Sequence, residues 1–172
     1  YNRLGAKVTL VTTATPPADV ASRVDVVMVE SARAMRAKVL EAEPDLPLAL
    51  VGDWNVAPQD HDVWDMQFFL DNGMTHVSAP ERRAFQAFLD EGYRDVVRER
   101  LPGPEVYTYW DYTQLRFPRN EGMRIDFQLA SAPLAQHVTG AQVDMVERAG
   151  DKTSDHCPLL ADYNLPDFNS VR

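Results

Sequence analysis

Leu46-Pro47-Leu48-Ala49-Leu50-Val51-Gly52-Asp53-Trp54-Asn55 decides how the rest of the chain is read. A short apolar run ends abruptly in a glycine, an acid, an aromatic and an amide. Such a run, bounded by turn residues, predicts a strand buried on both faces over residues 46–51. It stops where two polar side chains reach the rim of a core. The period-2 geometry of an extended backbone sends Asp53 and Asn55 to the same side. The first is an acceptor and a candidate base, and the second offers both a donor and an acceptor. The pair suits a phosphate and a water. It equally suits an Asx-type turn that closes a strand, and these residues alone leave the two readings level.

On the N-terminal side, residues 8–13 and 24–29 are β-branched runs separated by Pro16-Pro17. They read as strands or as remnants without fixed structure. Residues 31–42 are rich in helix formers, with Met35, Val39 and Ala42 on one face, and Pro44 ends the pattern. On the C-terminal side, residues 56–62 read as a polar loop, and the apolar, aromatic residues 63–70 as helical or irregular. Ser78-Ala79-Pro80-Glu81 has capping-box spacing. The helix it starts places Phe85, Phe88 and Leu89 on a core face and Gly92 where a C-terminal cap belongs.

Residues 106–112 read as a dense aromatic strand, and residues 114–122 as a loop carrying Arg116 and Arg119. Residues 124–130 alternate, with Ile125, Phe127 and Leu129 on one face and Asp126 and Gln128 on the other. Residues 138–146 are a weaker strand, 152–156 a polar loop and 158–163 a final strand. Helices and strands intermix without a regular βαβ rhythm. That order favours a layered α/β sandwich over a doubly wound parallel sheet.

The 172 residues suffice for one domain with a sizeable core. A hydrophobic fraction of 45% and a charged fraction of 25% are those of an ordinary globular protein. No apolar run is long enough to span a bilayer, and no basic-then-apolar leader opens the chain. The single cysteine, Cys157, leaves no internal disulfide, so a cytoplasmic location is expected. A net charge of −9 argues against broad electrostatic attraction to nucleic acid. It leaves room for a local basic patch and metal ions at one site.

Five polar residues stand at strand ends or beside loops: Asp53, Asn55, Asp126, Asp155 and His156. In Ser154-Asp155-His156 the carboxylate suits a hard cation, and the imidazole suits a phosphoryl oxygen. Asp126, on the polar face of its strand, is the candidate carboxylate partner of that imidazole. A surface-loop histidine is the bland reading of His156, and it weakens as the other polar groups accumulate. Tyr107-Thr108-Tyr109-Trp110-Asp111-Tyr112 is followed by Arg116, Arg119 and Arg124, a set that suits phosphates and a sugar or base. Tyr107 and Trp110 are read as core, while Arg116 and Arg119 divide evenly between phosphate contact and an ordinary solvated loop.

Taken in order, these blocks resemble the exonuclease III family of abasic-site endonucleases, within the endonuclease/exonuclease/phosphatase superfamily. The resemblance runs from Asp45 to Tyr163. It rests on Val51-Gly52-Asp53-Trp54-Asn55-Val56-Ala57-Pro58, on the aromatic block at 107–112, on Arg116-Phe117-Pro118 through Gly122-Met123-Arg124-Ile125-Asp126, and on Ser154-Asp155-His156-Cys157-Pro158. It implies a two-sheet α/β sandwich of mixed, mainly antiparallel strands flanked by helices, with the site where the sheets meet. It implies metal-dependent hydrolysis of double-stranded DNA at abasic sites and 3′ ends, with magnesium as the ion and manganese as the substitute. By the same resemblance, Asp53 orients or deprotonates water, and Asn55 holds Asp53 and the phosphate. His156 stabilises phosphate charge, with Asp126 orienting its ring. Asp53, Asn55, Asp155 and His156 are the implied metal-site residues. Tyr109 matches a position lining the pocket for an extruded abasic sugar, and Arg116 and Arg119 join it as substrate-binding residues.

Residues 1–40 depart from the family pattern, lacking its first-strand asparagine, its metal-binding glutamate and its Tyr-x-Pro-Asn-Gly block. Glu30 imitates the glutamate but stands in the wrong context, so it receives no role. The expected organisation is an atypical segment over 1–40 and the C-terminal part of such a domain over 41–172. A fragment, with reduced or no activity alone and a missing partner half, is the expectation. The competing readings are a catalytically dead remnant or DNA-binding module, and a superfamily phosphoesterase acting on small substrates.

Overall fold

A computed structural model describes residues 45–165 together with the strands β1 (Thr9–Thr12) and β2 (Asp25–Met28). β1 and β2 fall within the two β-branched runs and pair in parallel, Thr9 opposite Asp25 and Thr12 opposite Met28. The helix expected over residues 31–42 lies outside the described residues.

An antiparallel sheet of order β3 (Ala49–Asp53), β5 (Asp126–Ala130), β4 (Arg94–Asp95) holds the site. Its register sets Leu50 opposite Leu129 and Asp53 opposite Asp126. Directly opposed residues share a face. Leu50, Phe127 and Leu129 therefore line one side, and Val51, Gln128, Asp53 and Asp126 the other. The first side packs against Phe85 and Tyr93, beside the helix α2 (Ala79–Asp90), which follows the short α1 (Met66–Asp71). Burying Phe127 and Leu129 contributes about 1.5–3 kcal/mol each. Ser78 and Glu81 cap α2 reciprocally, Ser78 N–H donating to Glu81 Oε2 over 2.9 Å. Gly92 ends the helix at φ +95°, as its position predicts.

The second side faces a hairpin of β6 (Val138–Val143) and β7 (Leu159–Tyr163), to which Gln128 Nε2 donates at the Leu159 carbonyl over 2.8 Å. The helices α3 (Val96–Arg100) and α4 (Ala132–Ala135) bring Val96, Val97, Leu134 and Ala135 into that interlayer core. The short α5 (Met145–Arg148) leads towards β7. The outcome is the layered α/β sandwich that the intermixed pattern predicts.

Two expectations are corrected. The strand expected at 46–51 begins at Ala49 and is buried on one face only, with Leu50 buried and Val51 66% exposed. Among the described residues β3 lies at the sheet edge, and Ser131 stitches its approach in place of a ladder. Leu48 N–H donates to Ser131 Oγ, which in turn donates to the Leu46 carbonyl, each over 2.9 Å. The aromatic strand expected at 106–112 is an irregular segment in which Tyr109 alone makes bridges, to Met123 and His156. The N–H groups of Thr108 and Tyr109 both point at the Met123 carbonyl, and Thr108 Oγ1 accepts from Ile125 and Asp126 N–H. A side chain has taken the place of a ladder partner.

Asp62 and Arg124 correct a third expectation. The sequence places residue 62 in a polar loop and Arg124 among arginines suited to phosphates, yet both are buried. Asp62 ends a 3-10 turn at Asp60–Asp62 and receives Arg124 Nε at 2.7 Å and one guanidinium nitrogen of Arg98. Arg124 also reaches Asp95 over 2.6 Å. Burial opposes the Arg124 cation, and the Asp62 and Asp95 carboxylates outweigh it, raising its pKa above the ordinary value.

Candidate active site

At the end of β3 the chain alternates outward, inward, outward. Gly52 takes φ +142°, a region that favours glycine, and re-aims the strand end. Trp54 turns into the core and packs edge-on against Phe85 and Phe88, with centroids at 5.8 and 4.7 Å. Its N–H donates to the Ile125 carbonyl over 2.9 Å. Asp53 and Asn55 are left exposed on either side of this anchor.

Asn55 has left the extended conformation, at φ +51°. Its backbone N–H donates to Asp53 Oδ1 over 2.9 Å, and its Nδ2 donates to Asp53 Oδ2 over 3.0 Å. The two residues meet through an Asx turn rather than through the period of a strand. The turn that closes the strand is therefore also what brings the two polar side chains together.

Asp126 lies opposite Asp53 in the β3–β5 register. His156 precedes β7 and is pinned by its bridge to Tyr109. Its Nδ1 lies 2.9 and 3.1 Å from the two carboxylate oxygens of Asp126. Its Nε2 lies 3.9 Å from Asp53 Oδ2, too far for a hydrogen bond. Asp53 and His156 thus frame a gap, while Asn55 and Asp126 hold them from behind. Side chains on three segments far apart in sequence meet at one edge of the interlayer space.

Tyr109 stacks its ring at 4.9 Å and 59° from the His156 imidazole. Burial, then the charges of Asp111 and Asp155, raise its pKa, so the phenol keeps its proton at neutral pH. Asp155 is half-buried next to His156, and its backbone carbonyl accepts from Trp110 N–H. Arg116 and Arg119 both pair with Glu121, at 2.9 and 2.6 Å. The Arg116 guanidinium also sits 5.2 and 5.7 Å from the rings of Trp64 and Phe68. Tyr107 and Trp110 are buried, as the core reading of both predicts.

Among the described residues no group of three or more His, Cys, Asp or Glu side chains is placed to hold a metal ion. Nor is any helix among them long and apolar enough to cross a membrane. The sequence reading also passed over His76, whose Nε2 lies 3.2 Å from Asn55 Oδ1. Nothing in the local sequence marks it, since it reaches Asn55 only through the fold of the loop between α1 and α2.

The layered fold carries an acid–amide–imidazole cluster at one edge of an α/β sandwich. The profile of the endonuclease/exonuclease/phosphatase family matches residues 4–156, and the chain belongs to that family. The match begins inside the segment 1–40 that the sequence reading set apart. The chain is 31% identical over 131 residues to the exodeoxyribonuclease III of Haemophilus influenzae, covering 72% of this chain and 49% of that protein. Among solved structures it resembles a 3′-5′ exonuclease of Neisseria meningitidis, with 34% identity, a TM-score of 0.71, and coverage of 78% of this chain and 50% of that one. An AP endonuclease of Archaeoglobus fulgidus matches at 30% identity and a TM-score of 0.69, over 78% of this chain and 51% of that one. The chain spans about half the length of the curated relatives it matches.

Proposed function

We propose that this chain carries the water-activating part of a DNA-repair phosphodiesterase. Its substrate is duplex DNA at abasic sites and at 3′ ends. The observation that supports this reading is the gap framed by Asp53 and His156, each backed by its own polar partner. Asp53 accepts a proton from water as the water oxygen bonds to phosphorus. Asn55 holds that carboxylate and donates to the phosphate. His156, with Nδ1–H given to Asp126, donates in its imidazolium form from Nε2 to a non-bridging oxygen. The phosphorus–oxygen bond to the leaving group breaks with its electron pair going to that oxygen, and the proton taken by Asp53 goes there next.

Tyr109 forms the wall against which an extruded abasic sugar rests, extrusion being easier once the base is lost. Arg116 and Arg119 contact flanking phosphates in competition with Glu121. A divalent cation, magnesium or manganese, enters through the family resemblance. The described residues do not form a chelating group by themselves, so none of these steps is routed through it. We assign the chain low activity on its own because it spans about half the length of the relatives it matches, and a cytoplasmic setting consistent with its one cysteine.

The test is a duplex carrying one tetrahydrofuran abasic analogue, incubated with and without magnesium. The proposal expects a single weak incision 5′ to the lesion, dependent on the ion. An intact duplex together with turnover of small phosphate esters would transfer the site to the small-substrate reading.

A further inference from the structure

His76 stands outside the four residues of the proposed chemistry and touches one of them. It sits between α1 and α2 at φ +79°. A residue with a Cβ holds that conformation only where its surroundings over-determine it, and such positions cluster at functional sites. Here all its polar handles are used. Its backbone N–H donates to Glu81 Oε1 over 3.3 Å, and its carbonyl accepts from Ala57 N–H over 2.7 Å. The Thr75 hydroxyl lies 2.8 Å from Nδ1, and Asn55 Oδ1 lies 3.2 Å from Nε2. Asn55 is itself at positive φ, so two backbone outliers face each other across one hydrogen bond.

The donor and acceptor inventory fixes the direction of that bond. Asp53 presents only acceptors, so Asn55 turns Nδ2 towards it and leaves Oδ1 facing His76. An oxygen there needs a donor, which places the imidazole proton on Nε2 and makes Nδ1 the acceptor of the Thr75 hydroxyl. With Oδ1 turned to His76, the carboxamide presents its second Nδ2 hydrogen on the opposite side. An anion arriving on that side meets the donor rather than the carbonyl oxygen.

We propose that His76, seated by Thr75, is a positioning residue that holds the Asn55 carboxamide as a pure donor towards phosphate. The role rests on the phosphodiester reading of Asn55 given above. It adds to that reading a residue that neither the sequence motifs nor the acid–imidazole cluster contains.

The test uses the 15N-labelled chain and NMR near neutral pH, with inorganic phosphate as the probe. The proposal expects His76 protonated on Nε2 and bare on Nδ1, and an Asn55 Nδ2 hydrogen that shifts as phosphate is added. His76→Ala should move the Asn55 carboxamide towards the position of a solvated asparagine and weaken its phosphate response. His76→Gln, which still donates, should restore both. Thr75→Val, which frees Nδ1 while keeping the ring, serves if His76→Ala loses its circular dichroism; it should mix the tautomers and blunt the phosphate response. On the abasic duplex, kcat should fall about tenfold in His76→Ala with KM nearly unchanged, and recover in His76→Gln. A proton on Nδ1 with Nε2 bare overturns the proposal, as does an unchanged Asn55 carboxamide in a folded His76→Ala. A phosphate response that depends on His76 without any incision upholds the positioning role and sinks the nuclease reading instead.

Discussion

Two polar clusters sit at neighbouring positions along one stretch of chain, Arg124 in one and Asp126 in the other. Around Arg124 the charges are sealed against one another: Arg124 pairs with Asp62 and Asp95, and Arg98 shares Asp62. Around Asp126 the groups are held from behind and open in front. His156 Nε2 and Asp53 Oδ2 stay 3.9 Å apart. Each cluster contains two aspartates, so the presence of an acid does not separate scaffold from site. Closure does: a buried cluster of paired charges fixes the fold, while a half-satisfied cluster at a rim has capacity left for a ligand.

The largest effect should come from opening the sealed cluster. Asp62→Ala leaves two guanidinium groups without their shared carboxylate, and breaking a buried pair costs roughly 3–5 kcal/mol. That is a large share of the stability of a single domain, and urea titration should show a much lower midpoint or an unfolded chain. A midpoint close to that of the parent would mean that water reaches Arg124 and that the contrast drawn here fails.

The open cluster should respond the other way. Asp53→Asn and His156→Ala should each lower incision of the abasic duplex by roughly 10²–10⁴-fold, with thermal midpoints within about 2–4 °C of the parent. Loss of fold in both variants, seen by circular dichroism, would move Asp53 and His156 into the scaffold class.

This contrast explains what the sequence revealed. Asp53, Asn55, Asp126 and His156 were legible because each follows or precedes an apolar run, and a strand end is where a core must stop. The capping box at Ser78 and the alternation of 125–129 were legible because they are local patterns. Asp62 is not legible in this way because its ion-pair partners lie at 98 and 124, and no local rule shows that a turn folds inward. The segment at 106–112 was misread because its aromatic content satisfies β propensity, while Thr108 takes over the backbone donors that a strand would have paired. His76 was invisible for the same reason as Asp62, since its meaning lies in one contact made by a loop.

A smaller effect sharpens the boundary of the open region. Arg116 is shared between Glu121 and two aromatic rings. If it also reaches a phosphate, Arg116→Ala should weaken duplex binding and reduce the slope of log affinity against log salt by about 1. Fluorescence anisotropy over a range of salt reads both quantities. An unchanged slope would place Arg116 with the sealed charges, as a strut for Glu121 and Trp64.

The smallest effect concerns two adjacent residues on opposite sides of the division. His156 faces the gap, and Cys157 points inward and is buried. Burial, then the charge of Asp144, pushes the Cys157 thiol up from 9.0 to about 11. Below pH 9.0 the thiol is protonated in both the folded and the unfolded chain, and its contribution to stability is fully present. Between 9.0 and about 11 the unfolded chain ionises while the folded one resists, so stability falls as pH rises. Urea midpoints should therefore drift down from about pH 8 to about pH 10.5, less steeply in Cys157→Ala, with the slope of each transition unchanged. Iodoacetamide should leave the native thiol unmodified at neutral pH and react once urea is added. Rapid alkylation of the native chain would show that the gap at His156 extends behind it, and that the line between sealed and open does not fall between these two residues.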